Sequence, residues 1–238
     1  MTRRIGILLT CVDDSDFAKR FPDDGEKFRR LLAPLRPAWE FITVPVKDGV
    51  FPEHAEDFDG YIITGSPVSV NENSKWIKQL FGFIRELDAK KIPTFGACFG
   101  HQAIAMALGG KVEKSDKGWG LGAAGTAYQN FAPWMRPQQE KMVLFAAHED
   151  QVSKLPEGAV VLGGSDFCPV GAYRIGSHIF ATEYHPEMTL DFVSALLDEL
   201  ESGLDRQTIA ASRASLENVA EGPAFARWIV NFLDQSDG

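Results

Sequence analysis

A chain of 238 residues that is 45% hydrophobic, 24% charged and 11% aromatic has the composition of a globular protein, which excludes a disordered tail, a collagen-like repeat or a coiled coil. At this length folding hides roughly 70–75% of the unfolded surface, so a single domain over residues 1–238 is expected. With 24 Lys and Arg against 33 Asp and Glu the net charge is −9, and without a basic patch such a surface repels a phosphate backbone, so no nucleic-acid partner is expected.

No apolar run approaches the ~18–20 residues of a membrane span. Arg3 and Arg4 precede only a short run, Ile5 to Leu9, which is followed by Asp13, Asp14 and Asp16. That pattern reads as a buried first strand, not a secretory signal. Cys11, Cys98 and Cys168 are odd in number and widely spaced. They form neither a disulfide framework nor a metal site, which suits a reducing cytoplasm.

Along the first hundred residues strands and helices alternate. Strands are predicted over 5–9, 39–46, 61–63 and 92–97, and helices over 24–35, 74–89 and 102–108, the last stopped by Gly109-Gly110. This alternation implies a mostly parallel sheet with helices on both faces. From 111 to 184 the helical period disappears. Strand-like runs at 122–128, 142–147, 158–162, 170–174 and 178–184 predict additional antiparallel strands. A helical C-terminal extension is predicted from about 189 to 238. One apolar stripe there runs from Val193 to Leu204 and another from Phe225 to Phe232, with Pro223 suited to a first turn.

The segment Gly96-Ala97-Cys98-Phe99-Gly100 places a cysteine between a strand and a helix with glycines two residues to either side. It is the thiol form of a nucleophile elbow: the tight turn leaves no room for flanking side chains and holds the nucleophile exposed under strain. Free N–H groups of the following helix can lower the thiol pKa and bind an oxyanion. A cysteine nucleophile needs a base, and the base an orienting group. His185-Pro186-Glu187 follows a strand end and could supply both; His148-Glu149-Asp150, also after a strand, is the competing pair. Gly65, which closes the third strand, could donate its N–H to an oxyanion together with Phe99. His101 is expected to pack on its helix, and His54 and His178 to lie in loops or on the surface. The seven acids between Glu183 and Asp205 read as a solvated helix face.

Gly96 to Gln102 together with His185-Pro186-Glu187 resembles the class I, or triad, glutamine amidotransferase domain, most nearly the stand-alone proteins similar to the glutaminase part of GMP synthase. Ile63 to Pro67 resembles that family's oxyanion strand, Lys117 to Gly120 its segment before the antiparallel strands, and Ala147 to Val152 its Ser-His-x-Asp-x-Val stretch, with alanine where serine is common. The resemblance spans about residues 3–190. It implies a flavodoxin-like open sheet, no cofactor and no metal. It also implies a Cys98–His185–Glu187 triad, an oxyanion site at the Gly65 and Phe99 amides, and substrate contacts from Gln102, His148 and Asp150. The implied reaction is hydrolysis of the glutamine side-chain amide through a γ-glutamyl thioester, with ammonia passed to a separate acceptor or synthetase. The same triad would serve a γ-glutamyl peptide hydrolase with water as acceptor, which a wider pocket beside the leaving amide would favour. A third alternative is a binding or regulatory module that keeps the fold without turnover.

Overall fold

Alternate residues of the first strands are apolar on both sides, so these strands must be covered on both faces. The computed structural model, which describes residues 2–235, builds that arrangement. In chain order the elements are β1 (Arg4–Leu8), α1 (Asp24–Leu32), β2 (Glu40–Val44), β3 (Gly60–Ile63), α2 (Lys75–Ala89), β4 (Thr94–Ala97) and α3 (Phe99–Ala107). Then come the strands β5 (Lys111–Lys114), β6 (Gly120–Tyr128), β7 (Lys141–His148), β8 (Asp150–Lys154), β9 (Ala159–Gly164), β10 (Ala172–Ile175) and β11 (Ile179–Thr182). Helices α4 (Leu190–Leu200), α5 (Arg206–Ser215) and α6 (Gly222–Leu233) follow.

The main sheet has the order β2-β1-β3-β4-β11-β10-β9-β6-β7. Strands β2, β1, β3, β4 and β11 are parallel to one another, and the remainder is antiparallel. This is a flavodoxin-like order with an antiparallel extension. Ile5 and Ile7 of β1, Phe95 and Ala97 of β4 and Phe180 of β11 face α1 and α6. Leu8, Tyr61, Ile63 and Ala181 face α2 and α3. The period-2 alternation thus divides the apolar residues between two cores, one on each face.

The predicted strands and helices are present, with shifted ends. Helix α3 begins at Phe99 instead of 102, and the stripe drawn to Leu204 stops at Leu200. Strands β5 and β8, which pair with each other, are absent from the sequence expectation. Each buries one apolar side chain, Val112 or Val152, too few to make a pattern. Helix α5 likewise buries only Ile209 and Ser212. Among the described residues no helix is long and apolar enough to cross a membrane.

Candidate active site

The candidate site residues lie beyond the C-terminal ends of the parallel strands, where open α/β sheets favour binding sites. Cys98 lies between β4 and α3 with φ 48° and ψ −106°, a conformation non-glycine residues seldom adopt and one concentrated at functional sites. Its amide donates to Thr182 O at 2.9 Å and the Gly100 amide donates to Thr64 O at 3.2 Å, pinning the turn to β11 and β3. A Cβ on Gly96 would stand 2.7 Å from the Gly100 carbonyl carbon, and one on Gly100 would collide with Ile63 O. Both glycines are therefore steric requirements of this elbow. The Gly65 and Phe99 amides make no hydrogen bond within the described residues and so remain free to donate.

His185 arrives after β11. Its amide donates to Phe145 O at 2.8 Å, which ties the tip to β7, and its Nδ1 donates to Glu187 Oε1 at 2.6 Å. Both side chains are buried. His185 Nε2 has no hydrogen-bond partner among the described residues, which leaves one ring nitrogen for chemistry. Burial opposes the imidazolium, but the Glu187 carboxylate and the Cys98 sulfur more than offset it, holding the His185 pKa well above the usual value. For Cys98 burial outweighs the His185 charge, and its pKa is raised. The downward shift expected from the α3 amides alone is therefore not what governs this thiol. Its ionisation is favoured chiefly by the proton on His185.

Cys98, His185, Gly65, Gln102, His148 and Asp150 all line one cavity of about 690 Å³. Ser69 Oγ donates to Asp150 Oδ2 at 2.5 Å. His148 Nδ1 donates to Asp150 O at 3.3 Å, and burial lowers the His148 pKa to about 4, so it is neutral at physiological pH. His148 lines the same cavity as His185 but makes no hydrogen bond to a carboxylate among the described residues.

Burial corrects two expectations. Glu183 is not on a solvated face: it is fully buried, and burial drives its pKa well above the usual range. Gln102 Nε2 donates to Glu183 Oε1 at 2.8 Å and to Asp150 O at 3.0 Å, so Glu183 and Gln102 together brace the strand that carries Asp150. His178 is also buried, with Nε2 2.7 Å from Asp88 Oδ1. His101 packs in the core as expected, and burial takes its pKa to about 3. Two residues missed in the sequence are Lys27 and Phe192, which line the cavity from α1 and α4. Among the described residues no cluster of three or more His, Cys, Asp or Glu side chains could hold a metal ion.

An elbow cysteine, a carboxylate-bound histidine and two free amides thus meet beyond the ends of the parallel strands. Residues 38–194 match the family model for class I glutamine amidotransferases, and the chain belongs to that family. Along nearly its full length it is 32% identical to gamma-glutamyl peptidase 4 of Arabidopsis thaliana, with 95% of this chain and 94% of that protein covered. It is also 34% identical to a glutamine-hydrolyzing GMP synthase subunit of Methanosarcina barkeri, over 62% of this chain and 71% of the other. The fold is shared with a glutamine amidotransferase of Thermotoga maritima at a TM-score of 0.75 and 20% identity, with 97% of this chain and 96% of that chain covered.

Proposed function

We propose that the chain hydrolyses γ-glutamyl amides whose amine portion is bulkier than ammonia. The observation that carries this reading is the extent of the cavity. Its polar side holds Gln102, His148 and Asp150, and its other walls carry Phe17, Phe21, Phe192, Leu196 and Leu200. At about 690 Å³ it has the size of a pocket for a drug-sized ligand, far more than free glutamine fills. Phe17, Phe21 and Phe192 are mutually packed, with ring centroids 5.1–5.6 Å apart, so the apolar wall is already formed. The near full-length similarity to a γ-glutamyl peptidase supports the same reading.

In the proposed chemistry His185 Nε2 takes the Cys98 proton, and the thiolate adds to the γ-carbonyl carbon, forming a C–S bond. The oxyanion is met by the Gly65 and Phe99 amides; losing one such donor costs about 3 kcal/mol of barrier. As the C–N bond breaks, His185 passes its proton to the departing amine. Water, deprotonated by His185, then cleaves the thioester and releases glutamate. Glu187 fixes the ring tautomer and stabilises the imidazolium throughout.

The similarity to a GMP synthase subunit supports a second reading, a glutaminase that passes ammonia to a synthetase partner. Glutamate release from glutamine and from γ-glutamyl dipeptides with large apolar second residues separates the two. The dipeptides are expected to show at least tenfold higher kcat/KM; preference for glutamine would overturn the first reading. Cys98→Ala is expected to abolish turnover of both with folding retained, and a glutamine-like electrophile should label Cys98 by peptide mass mapping.

A further inference from the structure

Three lysines line the cavity, and they are not alike. Lys19 and Lys47 have side chains 66% and 28% exposed and pair with Asp16 and Asp48. The Lys27 side chain is 12% exposed, and its Nζ lies 2.8 Å from Asp24 Oδ1. That same ammonium sits 3.7 Å from the centroid of the Phe192 ring, against the wall just assigned to the amine portion. Resting on the reading of a γ-glutamyl amide hydrolase, we propose that Lys27 is a specificity-determining residue that binds a carboxylate carried on the leaving amine.

An ammonium carries three donors, and Asp24 takes one. Asp24 is itself a weak partner. Its side chain is 10% exposed, and burial, with the nearby Glu187 charge, raises its pKa against the effect of Lys27. A nearly buried cation that is incompletely compensated draws a further anion, because a charge-assisted hydrogen bond replaces the hydration it lost. Of the acids that line the cavity, Asp23 Oδ1 accepts from the Glu26 amide and Asp13 Oδ1 from the Ser15 amide. Lys27 and Asp24 line the same cavity as Cys98 and His185, and Asp24 is near enough to feel the charges of both His185 and Glu187. The Asp24–Lys27 pair is an i,i+3 contact within α1, and the cation–π contact holds the ammonium over the Phe192 ring at the cavity wall.

The test compares γ-glutamyl-phenylalanine with γ-glutamyl-phenylalanine amide, which differ in one charge. Wild-type enzyme is expected to prefer the free acid by at least tenfold in kcat/KM, mostly through KM. In Lys27→Met that ratio should fall toward one, and in Lys27→Arg, which keeps the charge, it should persist. Thermal unfolding of each variant accompanies the kinetics, and the wild-type ratio stands whether or not Lys27→Met folds. Turnover of both substrates without discrimination by wild-type, or a ratio unchanged in folded Lys27→Met, would overturn the assignment of Lys27 alone. Absence of turnover on both substrates would overturn the hydrolase reading and this assignment with it.

Discussion

Gly65→Ala is a clean probe of the geometry around the proposed base. A Cβ at this position would stand 2.8 Å from His185 Cε1, 3.6 Å from Nδ1 and 3.9 Å from Cys98 Cβ. Gly65 is not among the residues with positive φ, so alanine brings no backbone strain, and the amide assigned to the oxyanion is retained. The ring has little freedom to retreat: its backbone is bonded to Phe145 and its Nδ1 to Glu187. The added methyl must therefore tilt the imidazole or push it away from Cys98. A misplacement of about 1 Å can cost ~10²-fold in rate, about 2.7 kcal/mol of transition-state stabilisation at ~1.36 kcal/mol per decade. Overpacking of this kind destabilises folds by about 1–3 kcal/mol, so a shift in unfolding temperature is expected while the protein still folds. The assay is kcat/KM on a γ-glutamyl dipeptide together with thermal unfolding. A folded Gly65→Ala enzyme with wild-type kcat/KM would refute the placement of His185 as the group that shuttles the proton.

Two further outcomes follow from the charges. Glu187→Gln removes the carboxylate that holds the His185 pKa up, so kcat should fall by roughly 10²–10⁴ with KM little changed, and the alkaline limb of the pH profile should move to lower pH; an unmoved limb would demote Glu187. His148 protonates near 6.5 when unfolded and at about 4 when folded. Between those values the unfolded chain binds the extra proton, so the stability held above pH 6.5 is lost on acidification, by up to about 3 kcal/mol from this residue. His148→Leu should flatten the fall in unfolding temperature between pH 6.5 and 4, and an unchanged slope would refute a buried neutral His148.

The parallel half of the sheet was legible because Ile5, Ile7, Ile62 and Phe95 sit in short apolar runs that only doubly covered strands tolerate. The elbow was legible because steric exclusion at Gly96 and Gly100 leaves a trace in single residues. What stayed hidden depends on partners distant in sequence. Glu183 and Glu187 are both acids in one acidic stretch, and nothing local tells that Gln102 reaches across to the first. Lys27 resembles any helix-surface lysine until α4 brings Phe192 beneath its ammonium. Strands β5 and β8 pack against α3 with one buried valine each, so hydrophobic periodicity has nothing to register. His178 looks like a turn residue because its partner, Asp88, belongs to α2.

Most of the apolar wall of the cavity lies outside the stretch 38–194 that the family model covers. Phe17 and Phe21 precede that stretch, as does Lys27, and Leu196 and Leu200 follow it, while Phe192 falls within it together with Cys98, His185 and Glu187. The loop after β1 and the outer half of α4 can thus change shape and polarity through substitutions that never touch the tightly packed elbow. Appetite for one amine or another can drift in evolution, or be redesigned at the bench, while bond-breaking power is left intact.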